Sequence, residues 1–224
     1  MKPITVLLAE DHMVVREGLK KLLESEDDLE VIGEAETGRQ AVEMTRKLHP
    51  AVVVMDIAMP LLNGLEATRQ ILKQAPATKV LILSAHSDDP YVDTALEYGA
   101  RGFLLKQSSA HSLSRAIREV QKGNTFLTPS IARRLDKRKP LDPSGALSGK
   151  TARLSSREVE ALQLIAEGKA NKQIAAELAI SIKTVEKHRQ RLMQKLDIHD
   201  TAGLTRYAIA AGVIESSVQL TITD

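Results

Sequence analysis

Several residue types are absent or scarce in this sequence, and each absence excludes a class of protein. Cysteine is absent, which rules out disulfide bonds and thiolate chemistry. Aromatic residues make up only 2% of the chain, so the core must be aliphatic, and stacking on single-stranded bases is not expected as a main activity. No glycine-rich phosphate loop of the GxxxxGK type occurs, so nucleotide binding is not indicated.

Long apolar runs are also absent. No run approaches the roughly 18 residues that a transmembrane helix needs, so we expect no membrane association. The N-terminal sequence MKPITVLLAEDH has an apolar stretch that is too short for a signal peptide, which favours a cytoplasmic location. The composition, 43% hydrophobic and 27% charged, is typical of a soluble globular protein, and 224 residues suit one large or two ordinary domains.

Charge is unevenly distributed along the chain. Residues 1–126 contain 15 Lys and Arg against 18 Asp and Glu, whereas residues 127–224 contain 16 against 11. An acidic first part and a basic remainder predict different partners for the two parts.

Short apolar runs alternate with amphipathic helical segments in residues 1–126. The run VVVMD (52–56) is typical of a strand that is buried on both faces of a parallel sheet. Such alternation predicts an α/β domain with helices on both faces of the sheet. We predict strands at 4–9, 29–34, 51–56, 79–84 and 101–105, and helices at 13–24, 38–48, 63–74, 88–98 and 109–122.

Polar residues stand where four of these strands end, namely Glu10 and Asp11, Asp56, Ser84, and Lys106. Ligand sites of open α/β sheets lie at the carboxyl ends of the strands, so we expect these side chains to converge. A polar residue can simply mark the end of a strand, but that reading does not explain three carboxylates and a lysine in register.

The predicted cluster has a definite chemistry. Three carboxylates need a countercharge, which Lys106 and a Mg²⁺ ion can supply together. An aspartate carboxylate can accept a phosphoryl group, so we predict Asp56 as the acceptor. Mg²⁺ and Lys106 would then neutralise the transferring group, and Ser84 would donate a hydrogen bond to it.

Four segments together resemble the receiver domain of response regulators, namely AEDH (9–12), VVVMDIAMPLLNG (52–64), LSAHS (83–87) and GARGFLLK (99–106). The resemblance implies a flavodoxin-like, five-stranded parallel sheet of order 2-1-3-4-5. It also implies transfer of a phosphoryl group from a sensor histidine kinase to Asp56. Glu10 stands where aspartate is common in the family, which is a conservative difference.

The same resemblance implies further roles. Glu10, Asp11 and Asp56 would gather around Mg²⁺ together with the backbone carbonyl of Ala58. Ser84 and Phe103 match the family's switch pair, in which the hydroxyl moves toward the phosphoryl group and the ring moves inward. Taken alone, Phe103 also reads as an ordinary core residue.

Residues 127–152 are predicted to be a linker, because proline, glycine and charged residues cluster there. PSIARRL, within this segment, could form a short helix, since proline is tolerated in the first helical turn. ARRLDKRK either contacts nucleic acid electrostatically or lies in a solvated tether.

Residues 153–224 are predicted to form an all-α domain with four helices, at 156–167, 172–178, 182–196 and 201–211. A short helix, a tight turn through LAIS and a longer helix with a basic face form the helix-turn-helix pattern. The segment 154–198 resembles the LuxR-type DNA-binding domain. Joined to a receiver, this domain implies a regulator of the NarL/FixJ class.

The second helix of such a motif enters the major groove of DNA. We therefore predict DNA contacts at Lys183, Thr184, Lys187 and Arg191. Glu186 and Gln190 are candidate base readers, because glutamate accepts from cytosine and glutamine pairs with adenine.

The expected function is transcription regulation switched by phosphorylation, with no turnover of an external substrate. Expected partners are a sensor histidine kinase, double-stranded promoter DNA, RNA polymerase and a second copy of the chain when it is phosphorylated or DNA-bound. Two alternatives are a Mg²⁺-dependent phosphohydrolase with an aspartate nucleophile and an adaptor that binds only proteins.

Overall fold

The computed structural model describes residues 2–85, 89–108, 110–137 and 154–214, and the chain divides into two compact units, Met1–Lys150 and Thr151–Asp224. No helix within the described ranges is both long and apolar enough to cross a bilayer.

The first unit is built on one parallel sheet of order β2-β1-β3-β4-β5-β6. The order of its first five strands is the predicted one. The strands are β1 (Ile4–Ala9), β2 (Leu29–Ala35), β3 (Val52–Met55), β4 (Lys79–Ser84), β5 (Gly102–Leu105) and β6 (Phe126–Leu127).

The sheet separates two aliphatic cores. Alternate residues of each strand point to opposite faces, so in β3 Val53 joins one core and Val54 joins the other. Both faces are covered by helices, which explains the unbroken apolar runs. The helices are α1 (Met13–Glu24), α2 (Gly38–Leu48), α3 (Gly64–Gln74), α4 (Asp89–Glu97), α5 (Ala110–Gln121) and α6 (Pro129–Lys137).

A sixth strand, β6, corrects the predicted five-stranded sheet, and α6 confirms the short helix that PSIARRL could form within the predicted linker. β6 pairs with β5, and Ile131 of α6 is fully buried in the core that contains Phe103. A strand of two residues has no readable periodicity, and the burial of Ile131 depends on contacts with a distant part of the chain. The remainder of the predicted linker lies outside the described residues, and the limits of the three predicted regions stay a prediction.

The second unit contains the four predicted helices, α7 (Ser156–Ala166), α8 (Asn171–Leu178), α9 (Ile182–Leu196) and α10 (Thr201–Ala210). Side chains cap three of them: Ser155, which forms a reciprocal capping box with Glu158, Ser181 and Asp200. The buried aliphatic side chains of this unit include Leu162, Ile165, Ile174, Val185, Leu192 and Leu204.

Candidate functional site

Charged side chains meet at the carboxyl edge of the sheet. Lys106 Nζ lies 2.8 Å from Glu10 Oε2 and 3.0 Å from Asp56 Oδ2. These residues follow β5, β1 and β3, whose ladder continues through a hydrogen bond from the Asp56 amide to the Ala9 carbonyl at 2.9 Å. Glu10 and Asp56 are 1% and 4% exposed, so their charges are shielded from water.

Asp11 and His12 complete this cluster. One ligand atom from each of Glu10, Asp11, His12 and Asp56 lies within 4.8 Å of the others. His12 Nδ1 is 2.8 Å from Asp11 Oδ1 and 3.2 Å from Glu10 Oε1, and these carboxylates, Asp11 first, raise the pKa of His12. The sequence analysis did not select His12, although its place directly after two acidic residues was an available signal.

Burial dominates the electrostatics of Asp56. Loss of hydration raises the pKa of Asp56 to about 6, against the lowering effect of Lys106. Burial alone would lower the pKa of Lys106, but the Asp56 and Glu10 carboxylates raise it above its ordinary value. Among the described residues, Lys106 is the one lysine that contacts Glu10 and Asp56, and its ammonium group can neutralise one of these two carboxylates.

This donor set fits a hard divalent cation. Mg²⁺ prefers oxygen ligands, and Glu10, Asp11 and Asp56 offer carboxylate oxygens within one small pocket. A divalent charge would also relieve the repulsion that contributes to the raised pKa of Asp56. Ala58, the predicted carbonyl ligand, is half-buried two residues beyond Asp56.

The loop from β3 to α3 holds Asp56 in place. The Ile57 amide donates to Asp56 Oδ1 at 2.8 Å, and the Gly64 amide donates to the Ile57 carbonyl at 2.9 Å. A Cβ atom added at Gly64 would lie 1.8 Å from the Asp56 carbonyl oxygen, so only glycine permits this approach. Leu61 has a φ of 68°, which is a strained conformation for a leucine.

The predicted switch pair lies on β4 and β5. Ser84 is 1% exposed at the end of β4, and the Phe103 ring is fully buried within one of the two cores. The Phe103 carbonyl accepts a hydrogen bond from the Thr128 amide at 3.1 Å. The backbone of the predicted switch residue is thus bonded to the segment between β6 and α6.

The structure also shows a buried arginine that the sequence analysis missed. Arg16 of α1 is 8% exposed, and its Nη1 donates to the Glu10 carbonyl at 2.7 Å. Arg16 shares a helix face with Leu19 and Leu23, three and seven residues later. An arginine within such an apolar stripe was the signal that could have identified it.

Helix α9 presents a polar face to solvent. Five of the six predicted DNA-contact residues, Lys183, Glu186, Lys187, Gln190 and Arg191, are exposed on the side opposite buried Val185 and Leu192. Thr184 is half-buried, and its hydroxyl lies 2.9 Å from the Ser181 hydroxyl at the start of the helix.

An ion pair connects α9 to α7 within the second unit. Lys195 Nζ donates to Glu158 Oε2 at 2.7 Å, which links the end of α9 to the start of α7. Burial acts to raise the pKa of Glu158, but Lys195 and hydrogen bonds from Ser155 outweigh it and hold that pKa below its ordinary value. The exposed face of α9 is therefore carried on an anchored helix.

Comparisons with known proteins agree with both units. Residues 6–118 match the response regulator receiver domain, and residues 152–208 match the bacterial regulatory proteins of the luxR family. The chain is similar to the transcriptional regulatory protein LiaR of Bacillus subtilis, with 41% identity over 92% of this chain and 96% of LiaR. It is also similar to DegU of Brevibacillus brevis, with 37% identity over 88% of this chain and 89% of DegU.

Solved structures give the same result. The RcsB response regulator of Salmonella typhimurium is 29% identical, with a TM-score of 0.57, over 94% of this chain and all of that one. A structure of RcsB bound to DNA also has a TM-score of 0.57 and covers 92% of this chain and 98% of RcsB.

DegU and LiaR are transcriptional regulatory proteins, and the second unit matches the luxR family of bacterial regulatory proteins, which favours transcription regulation over the phosphohydrolase and adaptor alternatives. The chain belongs to the NarL/FixJ family of response regulators, which join a receiver domain to a LuxR-type DNA-binding domain.

Proposed function

We propose that Asp56 receives a phosphoryl group from the phosphohistidine of a sensor histidine kinase and that this controls DNA binding through α9. The observation that carries the proposal is the position of Lys106, whose ammonium group lies within 3.0 Å of both Asp56 and Glu10. Receiver domains bind Mg²⁺ at an acidic pocket, and Glu10, Asp11 and Asp56 form such a cluster in this chain.

In the proposed reaction, a carboxylate oxygen of Asp56 attacks the phosphorus atom, and the phosphorus–nitrogen bond to the kinase histidine breaks. The product is an acyl phosphate on Asp56, and the imidazole leaves with the electron pair of that bond. Lys106 neutralises charge on the transferring group, and Ser84 donates a hydrogen bond to its oxygens. Mg²⁺, when bound by Glu10, Asp11, Asp56 and the Ala58 carbonyl, would supply additional positive charge.

The opposite transfer, from Asp56 to water, would return the protein to its starting state. This hydrolysis of its own acyl phosphate is the only turnover that we propose. Phosphorylation can act as a switch only if it favours one of two conformers through contacts that differ between them. We propose that the Ser84 hydroxyl and the Phe103 ring make those contacts.

The proposed output is binding to promoter DNA. Lys183, Thr184, Lys187 and Arg191 would hold phosphates and set the register of α9 in the major groove. Glu186 and Gln190 would contact base edges. The solved RcsB complexes contain RcsB dimers on DNA, which supports a phosphorylated or DNA-bound homodimer of this chain on paired half-sites. RNA polymerase is a further proposed partner, and promoter binding implies action in the cytoplasm.

Intact mass spectrometry tests the phosphorylation. Wild type and Asp56→Asn are incubated with acetyl phosphate and Mg²⁺. The wild type should gain one phosphoryl group and the variant none, because the amide is not a nucleophile of comparable strength. Equal gain by both proteins would exclude Asp56 as the acceptor.

Gel-shift measurements test the switch. DNA affinity and stoichiometry are compared with and without acetyl phosphate, for wild type and for Asp56→Asn. The wild type alone should gain affinity and bind as a dimer after phosphorylation. Identical binding in all four samples would contradict control by phosphorylation.

A further inference from the structure

We propose that Arg16 is a positioning residue for the divalent-cation site, a role that rests on the proposed function of the acidic cluster. Arg16 Nη1 donates to the Glu10 carbonyl at 2.7 Å in a buried hydrogen bond. This carbonyl belongs to the peptide unit that joins Glu10 to Asp11. Because the peptide unit is planar, a bond to its oxygen restricts the orientation of both acidic residues.

Two glutamate carboxylates hold the Arg16 guanidinium in place. Its Nη2 donates to Glu36 Oε1 at 2.8 Å, and its Nε lies 3.4 Å from Glu34 Oε2. The two glutamates belong to the end of β2 and the residue that follows it. Arg16 therefore links α1 to the carboxyl ends of two neighbouring strands, β1 and β2.

The charge of Arg16 is compensated outside the acidic cluster. Lys20 Nζ lies 2.7 Å from Glu34 Oε1, so Arg16 and Lys20 together face two carboxylates, those of Glu34 and Glu36. The two cations and two anions balance. Arg16 therefore acts on the cluster through geometry, in contrast to Lys106, whose ammonium group contacts the cluster carboxylates directly.

Divalent-cation binding without any phosphodonor tests this role. We compare Arg16→Met, which keeps the aliphatic bulk but removes the donors, with Lys20→Met as a matched control. Lys20 lies one turn later in α1 and shares the partner Glu34, but its hydrogen bond goes to Glu34 and not to the Glu10 carbonyl. Free Mn²⁺ is measured by electron paramagnetic resonance during titration of the full-length protein.

Residues that orient metal ligands change metal affinity by about 10- to 100-fold when they are lost, so the Mn²⁺ midpoint of Arg16→Met should rise about tenfold. The midpoint of Lys20→Met should stay at the wild-type value even if its stability falls. The rate of phosphorylation by acetyl phosphate at saturating Mg²⁺ should remain close to wild type in Lys20→Met, because the hydrogen bond of Lys20 goes to Glu34. Arg16→Lys keeps the charge and should recover part of the affinity.

The proposal would be overturned if folded Arg16→Met had the Mn²⁺ midpoint of the wild type. It would also be overturned if the Mn²⁺ midpoint of Lys20→Met rose as much as that of Arg16→Met. If Arg16→Met does not fold, the midpoint of Arg16→Lys decides, and a value equal to wild type would overturn the proposal. Wild type that binds Mn²⁺ but gains no phosphoryl group would contradict the proposed function and leave the positioning role supported. Wild type that binds no divalent cation would overturn the positioning role.

Discussion

The sheet edge of the first unit and helix α9 of the second both concentrate charge, but they hold it in opposite environments. Glu10 and Asp56 are almost fully buried, and each contacts Lys106, whereas Lys183 and Lys187 of α9 are exposed. Buried charges are weakly screened and therefore change one another's pKa. Exposed charges are screened by salt and act nearly independently. The coupled buried charges suit a switch in which a charge change at one residue alters its neighbours. The exposed charges of α9 suit a binding surface in which each contact contributes separately to affinity.

The largest effect is expected from Gly64→Ala, which tests whether the backbone around the buried Asp56 is tightly packed. The added Cβ would overlap the Asp56 carbonyl oxygen, which is backbone and cannot turn aside. Overpacking costs about 1–3 kcal/mol and sometimes more, so we expect a loss of about 3 kcal/mol in the first unit and greatly slowed phosphorylation. Hydrogen exchange at the β3 amides measures the stability of this unit.

Gly18→Ala is the matched control. Gly18 lies in α1 with open space around its Cβ position, so alanine should stabilise the helix by about 1 kcal/mol. Equal effects of the two substitutions would contradict the argument that the backbone around Asp56 is tightly packed.

The second test asks whether α6 is part of the first unit. Ile131→Ala removes a fully buried side chain, and such substitutions cost about 2–5 kcal/mol. We expect a loss of about 3 kcal/mol, measured by hydrogen exchange at β4 and β5. Ile182→Ala is the control, because Ile182 is 46% exposed and its truncation removes little buried apolar area. This substitution should cost less than about 1 kcal/mol. No loss at Ile131 would show that α6 contributes nothing to the stability of the first unit.

The third test concerns the buried charge itself. An ordinary aspartate ionises near 3.8, but the pKa of Asp56 is raised to about 6, so the folded state binds the proton more tightly. Ionisation therefore destabilises the fold as the pH rises from 3.8 to about 6, and the penalty is complete above that range. Asp56→Asn should raise the free energy of unfolding at pH 7 by roughly 2–3 kcal/mol in metal-free buffer.

The gain should vanish in acid, because protonated Asp56 is neutral like asparagine. Chemical denaturation at pH 7 and at a pH below 3.8 measures the difference. Asp27→Asn, at an exposed position, is the control and should change stability by less than about 0.5 kcal/mol at either pH. A gain from Asp56→Asn that did not depend on pH would argue against ionisation as its cause.

The smallest effect is expected on α9. Lys187→Ala removes one predicted phosphate contact, so the slope of log affinity against log salt should fall by about one, with similar loss on all DNA sequences. Lys47→Ala, an exposed lysine of the first unit, should leave the slope unchanged. A change in stability larger than the change in DNA affinity would show that Lys187 supports the fold rather than binding DNA.

Much of the fold could be predicted because the signals are local. The apolar run 52–56 and its counterparts mark strands, and the helical spacing of Val185 and Leu192 marks α9. The predicted groups Glu10, Asp56 and Lys106 meet because all parallel strands end at one edge. Strand β6 and the burial of Ile131 could not be predicted, since neither has a local periodicity.

The amino-acid sequence by itself determined the alternation of strands and helices, the two classes of domain and the residue types at the sheet edge, because hydrophobic periodicity is a local signal. The strand order was implied by the resemblance to receiver domains. Only the tertiary structure decided that Asp56 is buried enough to raise its pKa, that His12 joins the acidic cluster, and that Arg16 donates a hydrogen bond to the Glu10 carbonyl. The pKa of Asp56 depends on burial and on Lys106 and Glu10, which are far from it in the chain, and the contacts of His12 and Arg16 depend on how the chain turns from β1 into α1. These contacts are set by strand register and helix packing.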